Sequence, residues 1–187
     1  MRASRLTFAV AALLLGSSAV GAVAAPSAPL EAGVGPVTRL PLPRYASLKT
    51  DRVNLREGPS KDHRTLWVFQ RAGLPVEIVG EFETWRRIRD SEGTEGWVLH
   101  SLLSGRRTAI VNAGPDKGAE KAAVSLRARA DDGAEDQARL QTGVIGSVKS
   151  CTGTWCRLIV ALPNKRDVDG YIRQNRLWGV YPNEVVE

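Results

Sequence analysis

The side chains of this 187-residue chain best suited to chemistry are two cysteines, two histidines and five tryptophans. Cys151 and Cys156 enclose Thr152-Gly153-Thr154-Trp155. A thioredoxin-type redox centre uses C-x-x-C, and a zinc site needs further thiolates or histidines nearby; neither pattern is present. Two strand ends joined by a turn at Gly153 would bring the Cβ atoms within bridging reach. In an oxidising compartment the spacing therefore predicts a structural disulfide, worth only about 2 kcal/mol because the ring is small. A cysteine nucleophile would need an activated thiolate beside a histidine. His63 falls in a polar loop after Gly58-Pro59 and His100 follows Trp97-Val98-Leu99, so both read as surface or packing residues. Gly93-Thr94-Glu95-Gly96 is glycine-rich but lies between two strands and opens no helix, so it does not cradle phosphate. The expectation is a protein that is not an enzyme, with no catalytic residue, no metal and no cofactor.

The elements that must hold these residues come in two copies. Val53-Asn54-Leu55-Arg56 returns as Val124-Ser125-Leu126-Arg127, Thr84-Trp85-Arg86-Arg87-Ile88 as Thr154-Trp155-Cys156-Arg157-Leu158, and Glu95-Gly96-Trp97-Val98 as Asp169-Gly170-Tyr171-Ile172. The offsets are 71, 70 and 74 residues. A period of that length is a small domain duplicated, longer than the repeats of a solenoid. Within each copy, segments of four to seven residues with β composition alternate with glycine, proline and aspartate turns. In the first copy the strands fall near 52–56, 65–70, 76–79, 85–89 and 97–99. A 3₁₀ piece follows at 101–105, and 108–111 is expected to close the unit. The second copy repeats the order at 123–128, 138–140, 144–149, 155–160, 170–172 and 177–181. Residues 134–141 have helical character in isolation, but the matching segment reads β, so strand or loop is predicted. Strands so short and numerous make small, bent barrels of five or six strands, and closure disposes of exposed edges.

The ends set the compartment. Arg2 and Arg5 precede the apolar run Leu6 to Leu15, which is too short to span a bilayer, and Ala22-Val23-Ala24 satisfies the rule for signal cleavage after Ala24. No other apolar stretch is long enough to cross a membrane, so the expected location is periplasmic or secreted. The two leader arginines reduce the formal charge from +6 to +4. That excess is spread evenly and lacks the concentrated stripe of a nucleic-acid binder. Residues 25–44 are rich in proline, alanine and glycine and read as a linker or arm. The domain plan is thus signal 1–24, arm 25–44, first barrel 45–111, linker 112–120 and second barrel 121–187.

The run V-N-L-R-E-G-P-S at 53–60, then T-W-R-R-I-R at 84–89 and G-W-V at 96–98, resembles the bacterial SH3-like (SH3b) domain. The second copy departs from the pattern, with Ala128-Arg129-Ala130-Asp131 for the glycine-proline turn and Tyr171-Ile172 for Trp-Val. The Cys151…Trp155-Cys156 arrangement is similar to that of exported proteobacterial SH3-like proteins. The resemblance implies two tandem small all-β barrels that bind peptide, peptidoglycan or an envelope protein partner without catalysis. In larger proteins of the family the domain commonly directs a cell-wall hydrolase to peptidoglycan, and no hydrolase is present in this chain. A structural adaptor of the periplasm is the rival expectation.

Aromatic and arginine side chains concentrate at binding hot spots. Trp85 and Trp155 begin equivalent strands and alternate with Ile88 and Leu158, which suits the core; Trp97 also reads as structural. Trp67 and Trp178 have no aromatic counterpart in the other copy, which leaves them available to a surface. With Arg56 and Arg86 flanking the expected groove, the candidate binding set is Arg56, Trp67, Arg86 and Trp178.

Overall fold

The computed structural model describes residues 33–112, 123–162 and 166–187. The expected signal segment and residues 25–32 of the arm lie outside the described residues, as do 113–120 of the expected linker. Among the described residues there are strands and two 3₁₀ turns but no α-helix, so the chain is all-β. No described helix is long and apolar enough to cross a membrane.

A hairpin of β1 (Gly33–Val34) and β2 (Pro41–Leu42) precedes the first barrel. That barrel consists of β3 (Arg44–Leu48), β4 (Val53–Arg56), β5 (Thr65–Phe69), β6 (Pro75–Phe82), β7 (Trp85–Arg89), β8 (Glu95–Leu99) and β9 (Leu103–Ser104). All pairs are antiparallel, in the order β5-β4-β8-β7-β6-β3-β9. The second barrel consists of β10 (Thr108–Val111), β11 (Ala123–Arg127), β12 (Asp136–Gln141), β13 (Ile145–Thr152), β14 (Trp155–Val160), β15 (Val168–Arg173) and β16 (Leu177–Trp178). Its order, β12-β11-β15-β14-β13-β10-β16, is that of the first barrel element for element, and β17 (Val185–Val186) is added on the edge of β13.

The bends that curl each sheet recur at matched places. The register shifts between Leu55 and Arg56 and between Leu126 and Arg127, and again between Ile78 and Gly80 and between Val148 and Ser150. Such bulges increase local twist and let short strands wrap round a thin core. Alternation supplies that core. Val53 and Leu55 are fully buried while Asn54 between them is exposed, and Val76, Ile88 and Val98 join them. Leu126, Leu158, Ile172 and Val111 do the same in the second barrel. The glycine of the G-W-V motif is fixed by packing. A Cβ on Gly96 would lie 2.6 Å from Leu55 Cγ and 2.8 Å from the Arg56 carbonyl, and one on Gly170 would lie 2.7 Å from the Arg127 carbonyl.

One expectation changes. Residues 108–111 do not close the first unit: β10 pairs with β13 and β16, so it is the opening strand of the second barrel, as β3 is of the first. The boundary therefore falls at 105–107, and 112–120 connects two strands of one barrel. The physical reason is pairing at long range: β10 meets Ser147, Gly146 and Ile145 on one side and Trp178 and Leu177 on the other. The described end of the arm is residues 33–44. It folds into the β1–β2 hairpin and enters β3 at Arg44.

The arm is held by Glu81 on β6. The carboxylate accepts from the Val37 amide at 3.0 Å, the Thr38 amide at 2.8 Å and the Thr38 hydroxyl at 2.5 Å. Arg44 adds an ion pair at 2.8 Å. Gly35 lies so close that a Cβ there would stand 2.5 Å from this carboxylate, so the glycine in the arm answers to packing.

Candidate functional site

Each barrel carries a cleft at the same place, between the start of the β4 or β11 strand, the indole that begins β7 or β14, and the end of β8 or β15. In the first barrel the cleft of about 280 Å³ is lined by Arg52, Asn54, Arg56, Lys61, Trp85, Leu99 and Leu102. In the second, of about 350 Å³, the lining includes Ala123, Ser125, Arg127, Asp132, Trp155, Arg173 and Arg176. These are the same seven positions at the repeat offsets. Asn54 matches Ser125, Arg56 matches Arg127, Lys61 matches Asp132, Trp85 matches Trp155, and Leu99 matches Arg173.

The shared framework is built identically. Arg56 donates to the His63 carbonyl at 2.8 Å, and Arg127 donates to the Ala134 carbonyl at 2.8 Å. Each arginine thereby pins the loop that follows its strand while lining the cleft. Trp85 and Trp155 are 7% and 8% exposed, so each indole is core with an edge in the cleft, as the alternation predicted.

The chemistry differs. No carboxylate lines the first cleft, and three cations do. In the second, Arg173 forms a two-pronged ion pair with Asp132, with Nε to Oδ1 at 3.1 Å and a second, shorter bond from Nη2 to Oδ2. The Arg173 guanidinium lies 4.3 Å from the centroid of Trp155, a cation–π contact. The hydrogen bond from Arg173 lowers the Asp132 carboxyl below its ordinary value, and the bond to Asp132 raises the guanidinium. Arg127 also faces Asp136 at 3.4 Å. The second cleft is not smaller, but Arg173 and Arg127 each face a carboxylate, Asp132 and Asp136, and the Arg173 guanidinium lies over the indole.

The four residues predicted for binding go to four places. Arg56 lines the first cleft. Arg86 does not flank it: the side chain is 7% exposed, donates to the Glu83 and Trp85 carbonyls at 2.9 and 2.7 Å, and faces Glu81 at 3.6 Å. It sits cross-strand from Glu81 in the register that pairs Cys151 with Cys156 in the second barrel, so it is a structural cation. The opening repeat held this signal, since T-W-R-R-I aligns Arg86 with Cys156. Trp67 stands 60% exposed on edge strand β5 and does not line the cleft. Trp178 packs edge-on against Tyr45 of the first barrel, with centroids 5.2 Å apart. With Tyr45, Leu177 and Pro182 it walls an inter-barrel cleft of about 620 Å³. The predicted disulfide is present between Cys151 and Cys156, whose Cα atoms are 4.1 Å apart. Among the described residues no group of histidine, cysteine and carboxylate side chains could hold a metal ion. Sequence reasoning missed Arg52, Lys61, Leu99 and Leu102; the substitutions Lys61 for Asp132 and Leu99 for Arg173 could have been read from the repeat alignment alone.

The fold and the duplicated cleft define a tandem barrel of the SH3 type. The chain matches the bacterial SH3 domain over residues 49–105 and again over 120–179, more than half its length, and it belongs to that family. No curated protein matches it. Among solved structures it is similar to NlpC2 and NlpC1 from Trichomonas vaginalis, at 13% identity and a TM-score of 0.31 for each. The alignments cover 73% and 72% of this chain but 48% and 45% of those chains, so it spans less than half of either relative.

Proposed function

We propose that this chain is an exported, non-catalytic binding module whose first barrel holds a peptide, including the peptide of a peptidoglycan fragment, in the Trp85 cleft. The observation that carries the reading is a concave surface with an apolar floor and three cations, in a member of a family of small binding barrels. A preformed apolar pocket with a few convergent polar groups is the usual form of a binding site. The disulfide suits an oxidising compartment outside the cytoplasm, in keeping with the leader-like first 24 residues.

Sedimentation with purified peptidoglycan sacculi tests the reading. The folded protein is expected in the pellet, and Arg52→Gln with Lys61→Gln is expected to return it to the supernatant. A wild-type protein that stays in the supernatant would overturn wall binding. Release of soluble wall fragments by the wild type, lost in His100→Ala, would overturn the non-catalytic reading.

One observation favours the adaptor reading. The barrels meet along a seam of specific bonds: Tyr181 Oη to Glu77 at 2.9 Å, Thr108 Oγ1 to the Gly73 carbonyl at 2.8 Å and Arg71 to the Gly143 carbonyl at 3.1 Å. Such a seam suits a rigid unit that sets the spacing of two partners. Retention of an envelope protein by both barrels, with no affinity for sacculi, would select it.

A further inference from the structure

The two clefts are copies of one site, and their differences say what the site accepts. In the second barrel Arg173 lies over the Trp155 floor and Asp132 pairs with it at the cleft's edge. Asp132 therefore places a carboxylate of the chain itself at the mouth of the cleft. In the first barrel the matched positions are Lys61 and Leu99: the built-in acid has become a cation, and the cation it matched has become an apolar wall. Arg52 and Lys61 have no ion-pair partner among the described residues, and Arg56 spends one N–H on a carbonyl. A carboxylate brought by a ligand would complete the first cleft as Asp132 completes the second.

Resting on the binding reading above, we infer that the first-barrel cleft takes the terminal carboxylate of a peptide, and that the second cleft is closed to such ligands by its own Asp132. Arg56 offers the planar donor fork that suits a carboxylate, while Arg52 and Lys61 add attraction from the rim. Trp85, Leu99 and Leu102 ask for an apolar body behind the anion, which a peptide end with small aliphatic side chains provides and inorganic phosphate does not. The asymmetry makes the stoichiometry one ligand per chain despite two copies of the site.

Calorimetric titration of the full chain with N-acetyl-alanyl-alanine and with its C-terminal amide tests this, alongside indole N–H spectra of the five tryptophans. The acid is expected to bind once per chain and at least tenfold more tightly than the amide. The Trp85 signal should move and the Trp155 signal should not. Arg52→Gln with Lys61→Gln, both on the exposed rim, should lower the affinity at least tenfold. Asp132→Lys with Arg173→Leu should create a second binding event that moves Trp155. Should that pair fail to fold, the rim variants and the amide still decide the matter. Equal binding of acid and amide, two sites in the wild type, a shift at Trp155, or displacement of the peptide by equimolar phosphate would each overturn the inference. Retention on sacculi without binding of either peptide overturns this inference and leaves the binding module standing; failure on both counts removes both.

Discussion

Glu81 shows how one carboxylate can convert an unpromising segment into structure. Burial alone would raise its pKa. The hydrogen bonds from Thr38, Arg44 and Val37 outweigh that and hold the carboxyl at about 2, against an ordinary 4.5. A depressed carboxyl contributes stability above its unfolded pKa and loses it as pH falls toward the folded value. The clamp on the arm should therefore be complete at neutral pH and loosen as pH drops from about 4.5 to about 2. Glu81→Gln should do the same at pH 7, costing about 2 kcal/mol because charged hydrogen bonds are lost and Arg44 and Arg86 lose their counter-ion. Hydrogen exchange over residues 33–44 is the readout, and unchanged protection in the variant would refute the clamp. Little of this could be read from the chain. Proline and glycine content made 25–44 read as a linker or arm, because the partner that holds Val37, Thr38 and Arg44 lies some forty residues away. Arg56 was legible in the cleft because its strand motif recurs as Val124-Ser125-Leu126-Arg127. Arg86 was misplaced because two adjacent arginines on a strand face opposite ways, and only the pairing with β6 decides which one goes inward.

The hairpin β6–β7 and its copy β13–β14 solve one problem by two routes. Each must keep its outer end together just beyond a β-bulge. The second barrel uses a covalent bond at Cys151–Cys156 and lays β17 along the same edge. The first uses the Glu81–Arg86 pair at the matched register and lays the arm beside it. Cys151→Ser with Cys156→Ser should thus lower the stability of the second barrel by about 2 kcal/mol and leave exchange protection of the first barrel unchanged; equal losses in both would contradict the separation. At the crossing of β4 with β8, Gly96→Ala should cost about 1–3 kcal/mol through overpacking, since backbone as well as Leu55 blocks the new methyl. A denaturant midpoint equal to wild type would show that the strands can part. The strands themselves were legible because polar and apolar residues alternate within them. The place of β10 was not, because Thr108-Ala109-Ile110-Val111 and Arg44-Tyr45-Ala46-Ser47 share no motif, and a strand's pattern does not say which sheet it joins.

At the scale of the whole molecule the seam is built from aromatic rings around one arginine. Tyr45 lies 4.6 Å from Tyr181 and under the Arg107 guanidinium, which also holds Glu184 at 2.8 Å. Burial first, then the charges of Glu77 and Glu184, push Tyr45 up to about 12. Burial and Glu77 push Tyr181 further in the same direction. A phenol with a raised pKa stabilises the folded form below its unfolded value near 10 and ceases to do so as pH climbs through the folded one. The seam should therefore hold through neutral pH and open between about 10 and 12. Ultraviolet titration of the tyrosinates, followed beside an inter-barrel distance by spin labelling, checks this; separation of the barrels below pH 9 would contradict it.

Only Gly105, Arg106 and Arg107 join the end of β9 to the start of β10. Three residues reach about 10 Å, which keeps each barrel at a very high effective concentration beside its neighbour. Attachment this short adds to what a handful of polar bonds and three rings contribute across the seam. A protease site inserted after Gly105 should therefore give halves that stay together while the link is intact and drift apart on dilution once it is cut. Co-elution of the cut halves at micromolar concentration would mean that the surfaces, and not the short leash, do the holding.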